Sequence, residues 1–443
     1  MMNYQQAWTF LDNLQFFKIK LGLDSMNRFL EDVGQPHQDL KFIHVAGTNG
    51  KGSMSSTLLS ILSKAGYRVG LYTSPHLSSV RERFRINDQF IPEDDFAELA
   101  TRIRDVLGDR QITYFEFTTA LALLWFARQK VDLVILEVGM GGRLDATNVI
   151  TPQVGVITNV SMDHEAYLGN TLAAVAGEKA GIIKPGVPIV SGVGADDSLT
   201  VVEQTCRDRG APLYLLGRDF TVEPGDAGSW SYLGLTEKFK KINGLRHGLI
   251  GRYQRDNGAL ALAVLEQIAA DFPVDEEHIR AGLAEVRWPG RLEYFCMNQG
   301  GRVVGPEAAA DNGVRRYLLD GAHNPAGVDT LKEALAHDFT YGRLILVWAS
   351  MADKDMKKTL STMAPLADII VLTMPESERS ATPVQLREIL APAEQGKARI
   401  GASIEAALAT AAAEAQADDL ICVAGSLYLV GKARKILLGE VVA

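Results

Sequence analysis

The chain reads as an α/β protein of two domains, each built on a largely parallel sheet. Three observations predict this. Its 443 residues exceed what one hydrophobic core ordinarily organises. Short apolar, β-branched runs alternate with segments of helical period, the pattern of strands buried on both faces and joined by crossover helices. The alternation lapses in mid-chain and then restarts.

The first series of strand candidates is 41–47 (KFIHVAG), 67–74 (YRVGLYTS), 131–139 (VDLVILEVG), 154–160 (VGVITNV) and 187–193 (VPIVSGV). Helical stretches at 55–66, 117–129 and 171–183 lie between them. Over 222–245 the pattern weakens to short strands and turns. Helices return at 256–270 and 275–286, until Pro289 and Gly290 break the run. Residues 297–316 are rich in turn formers. The boundary therefore falls near 290, giving domains 1–290 and 291–443. In the second, strands are expected at 316–322, 343–350, 368–374 and 419–426, with helices at 326–338 and 357–367. At about 150 residues it is large enough for its own core. Two such domains leave a cleft between them, a preferred place for joining two substrates.

Composition narrows the function. Hydrophobic residues are 47% and charged residues 22%, the mix of a globular enzyme. Lys plus Arg total 45 against 54 Asp plus Glu, a net charge of −9, which argues against nucleic acid as a partner. Cys206, Cys296 and Cys422 are far apart, fitting a reducing compartment and neither a disulfide framework nor a zinc site. The N-terminus lacks a signal-peptide layout, and no apolar run approaches the roughly 20 residues of a membrane span. These features point to a cytoplasmic protein without a membrane partner.

The most informative stretch is GTNGKGS: Gly47, Thr48, Asn49, Gly50, Lys51, Gly52 and Ser53. It lies between a strand and a helix, where inward-turned N–H groups and the helix N-terminus favour an anion. Lys51 can reach terminal phosphates, and Ser53 offers a hydroxyl to magnesium. The common pattern GxxxxGK[ST] is not met, because its first glycine would fall at Val45 and Gly52 separates the lysine from the hydroxyl. Oxygen ligands for a metal are expected at strand C-termini, where Ser74 and Glu137 stand. His164 follows the strand at 154–160, and Lys179 lies on a helix. Taken alone, these two would be surface residues.

With these pieces in place, the chain resembles the folylpolyglutamate synthase and dihydrofolate synthase family, within the ATP-dependent Mur ligases. The resemblance rests on HVAGTNGKGS, YTSPHLSSVRERFRIN, TYFEFTTALAL, LEVGMGGRLDATN, MDHEAYLGNT, GEKAGIIKPG, WPGRLE, LDGAHNPAG and GSLYLVG. They stand in the family's order along almost the whole chain. It implies an N-terminal P-loop ATPase domain of Mur-ligase type and a smaller, Rossmann-like C-terminal domain.

The resemblance also implies roles. The loop 47–53 would hold ATP, with Asn257, Arg291 and Asp320 on the nucleotide. Ser53, Ser74, Glu137, His164 and Lys179 would hold magnesium, two ions in all, with Lys179 carbamylated. Carbamylation turns a cation into an oxygen-bearing anion suited to a hard metal. Lys51, Lys179, His164 and His323 would be catalytic. Thr113, Tyr114, Phe115 and Glu116, with Leu144, Asp145 and Ala146, would hold the pterin of 7,8-dihydropteroate or a reduced folate. Phe115 would supply an apolar wall and Asp145 a polar partner. TYFE can equally open a core helix, Glu116 favouring its N-terminal end. His323, Ser426 and Tyr428 would receive L-glutamate. Where many relatives carry histidine, this chain has Tyr253. The expected reaction converts the acid to an acyl phosphate that the amino group of glutamate captures. A monomer is expected. The alternatives are folylpolyglutamate synthase activity alone, a cell-wall amino-acid ligase of Mur type, or a P-loop regulatory NTPase.

Overall fold

The structure is a computed structural model that describes residues 1–14, 22–305, 313–375 and 380–439. The first sheet contains β1 (Phe42–Ala46), β2 (Val69–Tyr72), β3 (Phe84–Ile86), β4 (Gln89–Phe90), β5 (Leu133–Glu137), β6 (Val154–Ile157), β7 (Ile189–Ser191) and β8 (Leu213–Leu215). Their order is β4-β3-β2-β5-β1-β6-β7-β8. From β2 to β8 all neighbours are parallel, and β3 and β4 add an antiparallel hairpin. All residues of β1, β5 and β6 are buried, as expected of strands covered on both faces.

Alternate residues of these strands serve opposite cores. Phe42, Tyr72, Val134 and Leu136 pack with the helix Tyr114–Gln129. Ile43, Val45, Leu71 and Ile135 pack with the helices Lys51–Lys64 and Gln254–Gln267. Residues 222–245, expected as short strands and turns, form an antiparallel sheet of β9 (Thr221–Pro224), β10 (Trp230–Leu233) and β11 (Ile242–Leu245). Trp230 and Tyr232 anchor it on the second of these cores.

The second sheet holds β12 (Glu293–Met297), β13 (Val303–Val304), β14 (Arg315–Leu319), β15 (Leu344–Trp348), β16 (Ile369–Leu372), β17 (Ala398–Ile400) and β18 (Leu420–Ala424). Its order is β13-β12-β14-β18-β15-β16-β17, parallel from β14 to β17 with β12 and β13 antiparallel at one edge. The sequence reading missed β12 and placed only turns at 297–316. β13 lies there, while 306–312 fall outside the described residues.

The strands are also shorter than the apolar runs that announced them. Gly47, Ser74 and Gly139 lie past the strand ends at the carboxyl edge. Among the described residues, no helix is long and apolar enough to cross a membrane.

Candidate active site

A cleft of about 500 Å³ opens at the carboxyl ends of the two sheets. One wall comes from the segments after β1, β2, β5 and β6, the other from Arg291, Leu292 and the turn after β14. Parallel sheets place their ligand sites there, because strand ends and helix starts converge at that edge.

The phosphate loop is fastened to the segment after β6. Gly47 has φ +149°, and a Cβ on it would lie 1.9 Å from Thr158 Oγ1. Thr158 Oγ1 donates to Asn49 O at 2.7 Å, while Asn49 N donates to Asn159 Oδ1 at 2.9 Å. Thr48 Oγ1 exchanges bonds of 3.0 Å with the backbone of Ser161.

The helix after the loop begins at Lys51, one turn before the expected 55, because Gly50 caps it in a left-handed conformation at φ +82°. Lys51, Gly52 and Ser53 therefore belong to a first helical turn, whose N–H groups have no intrahelical partners. Lys51 Nζ donates to Gly47 O at 2.9 Å and Thr48 O at 3.2 Å. The glycine that breaks the common pattern also has a packing reason: a Cβ on Gly52 would meet the Trp288 indole at 2.8 Å.

The charged groups of the floor perturb one another. Glu137 is 4% exposed, and its Oε2 accepts from Ser74 N at 3.3 Å. Burial raises its pKa to about 7, against the pull of Lys51. Burial lowers the pKa of Lys51, which Glu137 and Asp163 oppose. Lys179 is 3% exposed, and burial with the nearby Lys51 lowers it to about 7. An ammonium group in that setting is only partly charged at neutral pH.

His164 caps the short helix Glu165–Leu168 at φ +52° and is 40% exposed. The cleft wall lowers its pKa, Asp163 pulls it up, and Lys354 and Lys51 lower it further. Burial would raise the pKa of Asp163, but His164 and Lys354 hold it well below the usual carboxylate range.

Beside the loop, buried Asn257 lies against Gly50, and its Nδ2 donates to Gln254 Oε1 at 2.8 Å. Asp320, buried at the end of β14, accepts from Leu292 N at 2.8 Å and Ala322 N at 2.9 Å. Burial raises its pKa, and Arg291 opposes this. Tyr253 lines the same wall. His323 faces the cleft with Nδ1 paired to Gly321 O at 2.8 Å; burial lowers its pKa to about 4.

The cleft thus gathers the phosphate loop with Ser74, Glu137, His164, Lys179, Asn257, Arg291, Asp320 and His323. The remaining expected residues are not in its lining. Ser426 caps the helix Leu427–Leu438, its Oγ accepting from Tyr428 N at 3.3 Å. Tyr428 is 48% exposed, and only Leu427 between them lines the cleft.

Thr113 and Glu116 form a capping box at the start of Tyr114–Gln129, the local structure the helix-opening alternative describes. Glu116 also accepts from Ser25 Oγ, and Arg83 stacks over the Tyr114 ring at 5.1 Å. Phe115 packs on Gly139, which does line the cleft: a Cβ there would meet the ring at 2.5 Å. Between Leu144 and Ala146, buried Asp145 accepts from the N–H groups of Gly139, Met140 and Thr147 at 2.9–3.0 Å and from Thr147 Oγ1 at 2.5 Å. It braces the loop that forms the cleft's edge.

Sequence reasoning missed Asp163, Asn324, Lys354 and Trp288. Asp163, Asn324 and Trp288 stand inside stretches already singled out, the first two beside His164 and His323 and the last opening WPGRLE. Lys354 lies in a turn, MADKD, with no periodic or spacing signal.

Two family models match the chain: the Mur ligase middle domain over residues 45–265, and the Mur ligase glutamate ligase domain over 306–427. The dihydrofolate synthase/folylpolyglutamate synthase of Bacillus subtilis (strain 168) is 32% identical over 446 residues, covering 98% of this chain and 99% of the relative. The structure of Escherichia coli FolC in complex with DHPP and ADP superposes with a TM-score of 0.86 at 32% identity, over 98% of this chain and 97% of that one. A bifunctional folylpolyglutamate synthase/dihydrofolate synthase with Mn, AMPPNP and L-glutamate bound gives 0.84 at 32% identity, over 97% and 98%. The chain spans about half the length of two haloarchaeal relatives that it also matches.

Proposed function

This chain belongs to the dihydrofolate synthase/folylpolyglutamate synthase family of the Mur ligases, and from that premise we propose that it is an ATP-dependent ligase joining L-glutamate to a pterin carboxylate. Both 7,8-dihydropteroate and reduced folates are the proposed acceptors. The observation that carries the reading is one cleft holding a phosphate loop, Lys51, buried Glu137 and buried Lys179 opposite Asp320 and His323.

A carboxylate and an ammonium group do not condense in water, because hydroxide is a poor leaving group. In the proposed reaction an acceptor carboxylate oxygen attacks the γ-phosphorus of ATP, and ADP leaves with the bridging oxygen. The amino group of glutamate, as the free amine, attacks the acyl carbon, and inorganic phosphate departs with the C–O bonding pair while the new amide nitrogen gives up its second proton to the leaving phosphate. Such transfers depend on alignment and charge neutralisation more than on covalent help from the protein.

Lys51 would exchange its two loop carbonyls for terminal phosphate oxygens, and the first-turn N–H groups would cradle the phosphates. Asn257, Arg291 and Asp320 would hold the nucleotide; His323, Ser426 and Tyr428 would receive glutamate. Thr113–Glu116 and Leu144–Ala146 would hold the pterin, Phe115 as wall and Asp145 at the ring edge in exchange for one of its loop bonds. Residues 1–290 would form the ATPase domain and 291–443 the ligase domain.

The residues fit a divalent cation. Among the described residues no three His, Cys, Asp or Glu side chains cluster as a metal site, so the donors would be the hydroxyls of Ser53 and Ser74 beside Glu137. The rise in the Glu137 pKa marks a buried carboxylate that a cation would stabilise in its ionised form. His164 and Lys179 would hold a second ion, Lys179 as its carbamate, formed by attack of the neutral amine on carbon dioxide. Bound there, magnesium would neutralise charge on the phosphoryl group in transfer.

Product analysis tests the reading. The chain is incubated with ATP and L-glutamate, and with dihydropteroate or tetrahydrofolate as parallel acceptors. Amide product with both is expected; product with neither, or ADP release indifferent to acceptor and glutamate, refutes the assignment.

A further inference from the structure

An acyl phosphate that meets water before glutamate collapses: water attacks the acyl carbon, phosphate leaves, and the free carboxylate returns with ATP consumed. Closure of the cleft therefore decides how many amide bonds each ATP yields. One carboxylate joins the two sides of this cleft. Asp163, in the loop after β6, accepts at Oδ1 from Lys354 Nζ at 2.7 Å and at Oδ2 from Asn324 Nδ2 at 3.0 Å. Both donors belong to the second sheet's side, 191 and 161 residues further along the chain.

Asn324 Nδ2 also reaches Asn49 Oδ1 of the phosphate loop at 3.2 Å, while its own Oδ1 caps the helix Pro325–His337. Asp163 Oδ1 further accepts from His164 N at 2.8 Å. The same carboxylate thereby holds the left-handed turn that presents His164. The Lys354 and Asp163 side chains are only 14% and 11% exposed, so separating them would leave a charge in a poorly solvated site.

We propose that Lys354 is a positioning residue: by gripping Asp163 it latches the second sheet's side over the His164 loop and keeps water from the acyl phosphate until glutamate attacks. The proposal rests on the ligase reading above. Lys354 is not in the cleft lining and takes no part in bond making. Its effect is on the coupling of ATP use to amide formation.

The test compares the full chain with its Lys354→Met and Lys354→Arg variants, counting ADP and amide in the same reaction with ATP, dihydropteroate and L-glutamate. The wild type should release close to one ADP per amide. Lys354→Met should raise that ratio about fivefold or more while the KM for ATP stays within about twofold, and Lys354→Arg should remain near the wild type. Small-angle scattering with AMPPNP bound should show a larger radius of gyration for Lys354→Met.

ADP and amide falling in step in Lys354→Met, or an unchanged radius of gyration, overturns the latch. If Lys354→Met does not fold, Lys354→Gln removes the same charge with a polar side chain and is read the same way. A wild type that makes no amide defeats the ligase reading, and the scattering comparison then decides the latch alone.

Discussion

Replacing Gly52 by alanine tests whether packing sets the unusual spelling of the phosphate loop. Gly52 occupies the first turn of Lys51–Lys64, where alanine is favoured over glycine by about 1 kcal/mol. Against this, the new Cβ would lie 2.8 Å from Trp288 Cζ2 and 2.9 Å from Cε2 and Nε1. Unbonded carbons rest roughly 3.5–4.0 Å apart, so the indole must retreat by about 1 Å. It is a rigid ring, and the residues after it run directly into the cleft wall at Arg291.

Overpacking of this kind costs about 1–3 kcal/mol, which leaves a net loss of about 0–2 kcal/mol. With Trp288→Leu the ring is gone, and Gly52→Ala should then stabilise by about 1 kcal/mol. Urea unfolding of the four proteins in this cycle should give a coupling of about 1–3 kcal/mol, with a rise in the KM for ATP only where Trp288 is present. A Gly52→Ala cost that is the same with and without Trp288 would refute the packing argument.

Three further outcomes are expected. Lys179→Ala should lose most turnover, with partial recovery on adding short carboxylic acids that would replace the proposed carbamate; an active variant, together with no carbamate in mass spectra of gently handled protein, removes that role. Asp145→Asn should impair dihydropteroate use more than folate extension, and equal losses in parallel kinetic assays contradict the place proposed for it at the pterin. His44 is fully buried, with Nε2 on Thr147 Oγ1 at 2.9 Å, and burial, then the charge of Lys184, lowers its pKa from 6.5 to about 3. The unfolded chain therefore takes up this proton first, so stability present above pH 6.5 is lost as pH falls toward 3. Between pH 6.5 and 5 this residue should account for about 2 kcal/mol, and His44→Gln should flatten the stability–pH curve by that amount in urea titrations; parallel curves would show that His44 does not carry it.

Much of the fold was legible because buried parallel strands read as unbroken apolar runs. β1, β5, β6, β15 and β18 all fall inside the expected segments. The hairpin of β3 and β4 escaped because each strand is so short, although the Asn-Asp pair between them, with Asn87 at φ +50°, marks a tight turn. The antiparallel β12 escaped because Pro289 and Gly290 were read as an ending, and nothing local announces which strand a new one will pair with.

The amino-acid order by itself determined the alternation of strand and helix, the glycine-rich loop before Lys51 and the acid that closes β5. These are local matters of side-chain periodicity and backbone freedom. Only the tertiary structure decided that Glu137 and Lys179 are buried near Lys51, that Trp288 forbids a side chain at Gly52, and that Asp163 meets Lys354. Such pairings join residues tens to hundreds of positions apart. Burial of these groups by the surrounding fold creates the low-dielectric setting in which their charges and shapes act on one another.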